Sequence, residues 1–295
     1  MTLASKYLNP QYDISFKRIF GTEKNKELLL NFLNVVLKNQ INFPIIEVVF
    51  LKTVQDPEIA SKKQSIVDVL CKDTTGVQYI IEMQMTKGSG FEERAQYYAA
   101  KAYVNQMLAG DRQYANLKEV IFIAIANYNI FPHKKNYKSE HVILDRATLE
   151  NDLNMFSFTF INLPKFAKIK KKLKDLTLEE KWYYFLKNAQ KTNDSELDEL
   201  VGKDIIIKQA YRELDRFGWS EEELATYDRE IKRQLDEEAI EEQIRIDAKA
   251  EGKAEGKIEE KMEVVKKMSA EGLDINIIAK VTDLTVEEIK VLLKQ

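Results

Sequence analysis

The chain has 295 residues, 44% of them hydrophobic and 32% charged, and a formal net charge of −3. This length allows a sizeable core, and the composition predicts a soluble globular protein with one unusually charged region. Cys71 is the only cysteine, which excludes an intramolecular disulfide and a thiolate zinc site, and two histidines argue against a His-rich metal site. Any metal would therefore be bound by oxygen ligands.

The first half of the chain alternates between helical and strand patterns. Residues 22–39 place apolar residues at helical spacing, with Thr22 as a plausible N-cap. Residues 91–110 predict a second helix that ends at Gly110. Short β-branched and apolar runs predict strands at 45–51, 65–71, 77–85, 119–127, 140–145 and 155–163. This order predicts an α/β domain over residues 1–163.

Beyond Pro164 the patterns are helical only. We expect a helical extension over 164–219, in which Thr177 and Glu180 form a capping box at the start of one helix and 199–217 form another. A long, charged, exposed helix is predicted over 220–267. Its repeat KAEGKAEGK (249–257) fits either a solvated helix or helix pairing in an oligomer.

Residues 268–295 predict a small helical tail, with turns at Gly272 and at Asp283–Leu284. Its spacing is similar to that of a helix-turn-helix. Glu287 and Glu288 open the second helix, however, and they would repel phosphates, which argues against DNA reading by this tail.

Charge is distributed unevenly along the chain. The run KFAKIKKKLK (165–174) has six lysines and no acid, whereas residues 219–243 carry ten acids and three bases. The lysine run fits either a phosphate-binding surface or a solvated linker. The N-terminus lacks the apolar segment of a secretion signal, and no run is apolar enough for a membrane helix. We therefore expect a cytoplasmic protein with no membrane partner.

Two acids interrupt apolar strands in SIVDVLCKDTTGVQYIIEMQM (65–85). Buried carboxylates cost several kcal/mol unless they are paired or bind a metal. If 72–76 connect a β-hairpin, Asp68 lies across from residues 80–82, and Glu82 and Gln84 share its face. Two carboxylates that converge in this way favour Mg²⁺ or Mn²⁺, which prefer oxygen ligands. The alternative is an ordinary exposed sheet edge.

Four segments in order, together with the glycine-spaced tail, resemble the recombination-promoting nuclease and transposase family of the PD-(D/E)XK superfamily. The segments are YDISFKRIFG (12–21), SIVDVL (65–70), YIIEMQM (79–85) and RAQYYAAKAY (94–103). The resemblance implies a restriction-endonuclease-like core (αβββαβ, a mixed sheet flanked by helices) followed by an all-helical C-terminal region. It also implies a Mg²⁺-dependent DNA endonuclease, with Mn²⁺ as the other metal, linked to recombination or mobile elements.

The resemblance also implies site residues. Asp68 and Glu82 match the metal-binding acids of the family, and the Met83 backbone carbonyl would be a further ligand. Gln84 stands where many superfamily nucleases have lysine, and an amide can orient water but carries no positive charge. Asp13 could reach the metal or serve as an N-cap.

Three cations are candidates for binding DNA. Arg94 and Lys101 lie seven residues apart on one helix and share a face, so either could replace the missing lysine. Lys17, one turn after Asp13, could contact phosphate or be an ordinary exposed lysine.

We expect the nuclease to form a homo-oligomer through its C-terminal helices. The sequence leaves two alternatives to a nuclease. The first is a catalytically degenerate module that binds DNA or a protein and is assembled through the tail. The second, a purely structural scaffold, is disfavoured by the converging acids.

Overall fold

The computed structural model describes residues 5–53, 67–107 and 113–293. The chain divides into two compact units, residues 1–230 and residues 231–295. The first unit contains the six strands β1 (Val48–Phe50), β2 (Val69–Asp73), β3 (Gln78–Gln84), β4 (Val120–Ala126), β5 (Lys138–Val142) and β6 (Phe156–Asn162). Its helices are α1 (Asp13–Phe20), α2 (Lys26–Val36), α3 (Phe91–Val104), α4 (Leu163–Phe166), α5 (Leu178–Asn188), α6 (Asp194–Val201) and α7 (Ile205–Glu213).

The strands form one mixed sheet in the order β1-β2-β3-β4-β6-β5. Strands β1, β2 and β3 are antiparallel neighbours, β3, β4 and β6 run parallel, and β5 is antiparallel to β6. The predicted β2–β3 hairpin is confirmed: Asp73 Oδ1 accepts from the N–H groups of Thr75 (2.8 Å) and Val77 (3.1 Å), which closes the turn. The parallel arrangement brings the carboxyl ends of β3, β4 and β6 to one edge.

Helix α3 covers one face of the sheet. Even-numbered side chains such as Ile80 and Phe122 lie on this face, and they share a buried cluster with Ala95, Ala99 and Ala102 of α3. Alanine at successive turns of the helix has no bulky side chain to hold the backbone away from the strands. As a result, α3 packs closely on the face that also carries Glu82 and Gln84.

A layer of helices built from α1, α2, α5 and α7 lies beside the opposite face. Aromatic rings fill this layer, with Trp182 5.5 Å from Phe20 and 5.8 Å from Phe32 between ring centroids. The indole N–H of Trp182 donates to Asn31 Oδ1 (2.8 Å), so its polar atom is satisfied. Gln40, which follows α2, hydrogen-bonds Thr159 of β6 (2.9 Å) and joins the layer to the sheet.

The predicted architecture, a mixed sheet flanked by helices with a long helical C-terminal region, is confirmed. Several boundaries differ. Thr22 does not cap a helix: its hydroxyl donates to the Arg18 carbonyl, a 3₁₀ turn follows, and α2 begins only at Lys26. Helix α3 ends at Val104 and not at Gly110, which lies outside the described residues. Asp68 occupies a bend just before β2 and not the strand itself, and residues 65 and 66 lie outside the described part.

The prediction of one helix over 199–217 is wrong, because Gly202 divides it. Helix α6 begins with a capping box formed by Asn193 and Glu196, and Gly202 then adopts φ 52° and ψ −110°, a conformation that favours glycine. Helix α7 restarts at Ile205. The capping box predicted for Thr177 and Glu180 is confirmed at the start of α5.

Helix α8 (Glu221–Ala270) begins in the first unit and continues into the second. There it is followed by α9 (Ile275–Thr282) and α10 (Val286–Leu292), and the three helices share a core of Val265, Ile278 and Ile289. The predicted turns are confirmed, with positive φ at Gly272 and Asp283. The finer division of the chain at residues 163, 219 and 267 stays a prediction. No helix in the described part is both long and apolar enough to cross a membrane.

Candidate active site

The two predicted acids come together where β2 begins and β3 ends. Val69 pairs with Ile81 in the antiparallel ladder, so Asp68, one residue earlier, lies opposite Glu82. The backbone N–H of Met83 donates to Asp68 Oδ2 at 2.8 Å, which fixes the Asp68 side chain against β3. Glu82 is buried, with 4% of its surface exposed. Alternation along β3 places Glu82 and Gln84 on the same face, as the sequence predicts.

Glu82 belongs to a short polar chain that ends at a cation. Its Oε2 accepts from Gln84 Nε2 (3.2 Å), and Gln84 Oε1 in turn accepts from Arg94 Nη2 (2.7 Å). Arg94 reaches this position because it lies in the first turns of α3, where its guanidinium also stacks over Phe91 at 5.2 Å from the ring centroid. Among the described residues, Glu82 Oε1 has no hydrogen-bond partner although it is buried.

Burial makes both acids hard to ionise. It raises the pKa of Asp68 to about 6, against the lowering effect of the Met83 N–H. It also raises the pKa of Glu82 well above its usual range, and the nearby Asp68 carboxylate raises that pKa further, whereas Arg94 lowers it. Two carboxylates held in this way are stabilised in their charged forms by a bound cation.

Helix α1 adds charged groups beside Asp68. Asp13 is the first residue of α1 and not its N-cap, which is Tyr12; its carboxylate forms an ion pair with Lys17 (2.8 Å). Glu230 of α8 accepts from the N–H groups of Asp13 (2.5 Å) and Ile14 (3.1 Å). The charges of Asp13 and Glu230 raise the pKa of Asp68, and that of Lys17 lowers it.

Glu230 is a site residue that the sequence does not reveal. It lies in the acidic run 219–243, where nothing distinguishes it from its neighbours. Only its hydrogen bonds to the start of α1 place it near Asp68. Trp219 and Arg18 are also missed: the Arg18 guanidinium lies 4.5 Å from the Trp219 ring centroid, and both residues line a groove that reaches Asp68. This groove has a volume of about 660 Å³.

The structure separates the two cations predicted on α3. Arg94 reaches the acids through Gln84. Lys101 lies two helical turns further along α3, roughly 10 Å away. Lys17 is half-buried, pairs with Asp13 and lines the groove that reaches Asp68, so it is not an isolated surface lysine, and its contact with phosphate stays a prediction.

The residues present fit a hard divalent cation. The donors are carboxylate oxygens, and the buried Glu82 Oε1 lacks a partner, which is the arrangement that Mg²⁺ or Mn²⁺ would complete. Within the described residues, no three His, Cys, Asp or Glu side chains converge as a preformed metal site. The remaining ligands would be the Met83 carbonyl, water and Asp13, whose carboxylate is paired with Lys17, and both protein ligands stay predictions.

Most of the chain matches the sequence pattern of one known family. The profile of a family described as PD-(D/E)XK nuclease family transposase matches residues 10–243. The chain belongs to this family. The match runs from the segment before α1 into α8 and includes every residue of the candidate site, and membership suggests a nuclease linked to mobile elements. Searches of curated proteins and of solved structures gave no match.

We expect Asp68→Asn to change how stability depends on pH in metal-free buffer. Because the pKa of Asp68 is about 6 in the folded protein and near 3.8 in the unfolded chain, the folded state keeps a proton that the unfolded chain has lost. The wild type therefore loses stability relative to the variant progressively between about pH 4 and about pH 6, by as much as about 3 kcal/mol, and the difference levels off above the folded-state pKa of about 6. Urea unfolding between pH 4 and 8 measures this difference.

Asp152→Asn is the matched control, since it removes the same charge from an exposed loop position. Its unfolding free energy should follow that of the wild type at every pH. A difference between wild type and Asp68→Asn that stays constant with pH would contradict a raised pKa for the Asp68 carboxyl.

Proposed function

We propose that this protein is a metal-dependent endodeoxyribonuclease that hydrolyses phosphodiester bonds in DNA, in recombination or in the movement of mobile elements. The observation that carries the proposal is the pair of facing acids: Glu82 is buried, Asp68 is half-buried, both have raised pKa values, and Glu82 has a carboxylate oxygen without a partner among the described residues. Family membership supports the same reaction class. A chain that works on DNA in this way is expected in the cytoplasm.

Asp68 and Glu82 would hold Mg²⁺ or Mn²⁺, together with the Met83 carbonyl and with Asp13 as a further candidate. When bound, the metal would activate water and neutralise charge on the phosphate. The hydrogen bond from the Met83 N–H holds the Asp68 carboxylate against β3. Both acids would have to lose their protons to bind, so metal affinity should increase with pH.

Arg94 would supply the charge that Gln84 lacks. Its guanidinium donates to Gln84 Oε1, so a positive group lies two hydrogen bonds from Glu82. A fixed cation near the phosphate stabilises the charge that develops in the transition state. Gln84 would then hold Arg94 and orient water through its amide. Lys17 and Lys101 remain proposed contacts to the DNA backbone.

The neutral Gln84 also favours a second candidate, a module that binds DNA or a protein without cutting. In that case the acids would be retained without a catalytic use. Cleavage assays separate the two candidates directly.

We expect the purified protein to cleave plasmid DNA with Mg²⁺ or Mn²⁺ and to stop when a chelator is added. Asp68→Asn and Glu82→Gln should each lower the rate at least about 100-fold, because each removes a charged metal ligand. Each should also abolish the rise in melting temperature that Mn²⁺ causes by binding the native state. Asp152→Asn should behave as the wild type. Metal-dependent cleavage by repurified Asp68→Asn, or a wild-type melting temperature unaffected by millimolar Mn²⁺, would leave only the non-cutting candidate.

We expect Arg94→Ala to lower kcat by about 10- to 100-fold with little change in DNA affinity, because it removes transition-state charge stabilisation. Adding Gln84→Lys to Arg94→Ala should restore part of the rate, since it returns a cation to the same place. Lys101→Ala is the control on the same helix and should change affinity more than kcat. If Arg94→Ala cuts as fast as the wild type, Arg94 has no such role.

We also propose that the C-terminal helices assemble the protein into a homo-oligomer. Leu235, Ile240, Ile244 and Ile258 of α8 are each more than half exposed, and a helix with so few apolar contacts gains stability by pairing. A shortened chain that ends at residue 234 keeps Glu230, and light scattering should show it as a smaller oligomer than the full chain. Equal stoichiometry of the two would exclude assembly through the tail.

A further inference from the structure

Two lysine-rich segments that are separate in the sequence meet at one edge of the sheet. Residues 165–174 follow β6, and residues 133–138 lead into β5. Lys165 joins them, because its Nζ donates to the backbone carbonyl of Phe131 (2.6 Å) and to that of Lys134. Lys165 therefore has a structural role, because it fixes the segment that contains Lys134 and Lys135 beside the segment that contains Lys168.

The lysines around Lys165 are mostly not neutralised by acids. Burial lowers the pKa of Lys165, and the positive charges of Lys168 and Lys134 lower it further. Among the described residues, Lys134, Lys135 and Lys168 have no carboxylate within ion-pair distance. Lys138 differs, since it lies between Glu140 (3.1 Å) and Glu179 (3.0 Å). The fold thus holds like charges close together, which favours the binding of an anion.

Strand register places these lysines on the same edge as the candidate active site. Gln84 pairs with Ala126 and Ala126 pairs with Asn162, so the ends of β3, β4 and β6 lie side by side. Two strand spacings separate the ends of β3 and β6, about 10 Å. Lys187 lies between them: its Nζ donates to the Asn127 side chain, just after β4, at 2.5 Å.

A groove of about 770 Å³ continues this edge beside β5, lined in part by Lys134, Lys135 and Lys138. The lining also includes the polar Asn136 and Ser139 and two acids, Glu140 and Glu179, which pair with Lys138 and leave Lys134 and Lys135 unneutralised. A concave, polar surface with an excess of lysine charge suits a phosphate backbone better than an apolar partner. The lysine charge would also reduce the electrostatic repulsion between DNA and the carboxylates of Asp68 and Glu82.

We propose that Lys134, Lys135, Lys168 and Lys187, which we call the edge lysines, bind the phosphate backbone of duplex DNA. The duplex then extends from Asp68 and Glu82 across the carboxyl ends of β4 and β6. The identity of the partner rests on the proposed function. Duplex DNA carries one charge per about 1.7 Å of axis, so several phosphates fall within the roughly 10 Å between β3 and β6.

The test compares two triple variants of the full chain that lose the same charge. One changes three edge lysines (Lys134→Gln, Lys135→Gln, Lys168→Gln). The control changes three exposed lysines that lie elsewhere (Lys72→Gln, Lys118→Gln, Lys203→Gln). Binding to a fluorescent DNA duplex is measured in chelator, where metal-dependent cleavage cannot proceed, at several salt concentrations. Thermal melting checks that both variants are folded.

The edge triple should bind DNA at least about tenfold more weakly than the wild type at roughly 0.1 M salt. The slope of its log affinity against log salt should be smaller in magnitude by about 2 to 3, because each lost phosphate contact removes about 0.9 from that slope. The control triple should retain the wild-type slope. Equal weakening in both triples, or an unchanged slope in the edge triple, overturns the proposal. So does tighter binding of an RNA duplex than of the DNA duplex through the same lysines.

Cleavage of plasmid, measured separately, distinguishes the two proposals. If the protein binds DNA through the edge lysines but never cuts it, the nuclease proposal fails and the edge-lysine proposal holds. If the protein cuts DNA but the salt dependence of its DNA binding does not change when the edge lysines are replaced, the nuclease proposal holds and the edge-lysine proposal fails.

Discussion

The hydrogen bond from the Met83 N–H to Asp68 Oδ2 fixes the geometry on which the candidate site depends. It fastens Asp68, a half-buried residue in a bend, to the strand that carries the buried Glu82, so the two carboxylates face each other. The arrangement opposes folding, because burial raises the pKa of both groups and each charge disfavours the other. The hairpin ladder and the packed core must therefore hold the acids together, and a bound cation would relieve the repulsion.

Gln84 is neutral where a lysine was expected from the resemblance, and Arg94 of α3 brings a positive charge to the same place. Ala95, Ala99 and Ala102 let this helix pack closely on the face that carries Glu82, and Arg94 thereby reaches the end of β3. The helix thereby places a guanidinium two hydrogen bonds from Glu82, and we propose that it acts in place of a lysine at position 84. The requirement is electrostatic, so the position of the charge matters more than the residue that carries it.

The parallel strands connect the site to the proposed DNA surface. Because β3, β4 and β6 run in one direction, their carboxyl ends share an edge, and residues that follow each strand become neighbours. Arg94, Lys187 and Lys165 reach that edge from three different helices. The same topology therefore places the acids and the lysines side by side, although long stretches of sequence separate them.

The sequence by itself determined the order of helices and strands, the hairpin, the shared face of Glu82 and Gln84 and the family, because these depend on local periodicity and on motifs within short segments. It could not locate Glu230, the break at Gly202 or the link from Arg94 to Gln84. Nor could it decide between a linker and a binding surface for the lysine run. These depend on contacts between distant segments, and their energies come from burial and from charges that only the folded chain brings together. Glu230 shows the reason most plainly: its sequence neighbours are equally acidic, and only the packing of α8 against α1 gives it a position beside Asp68.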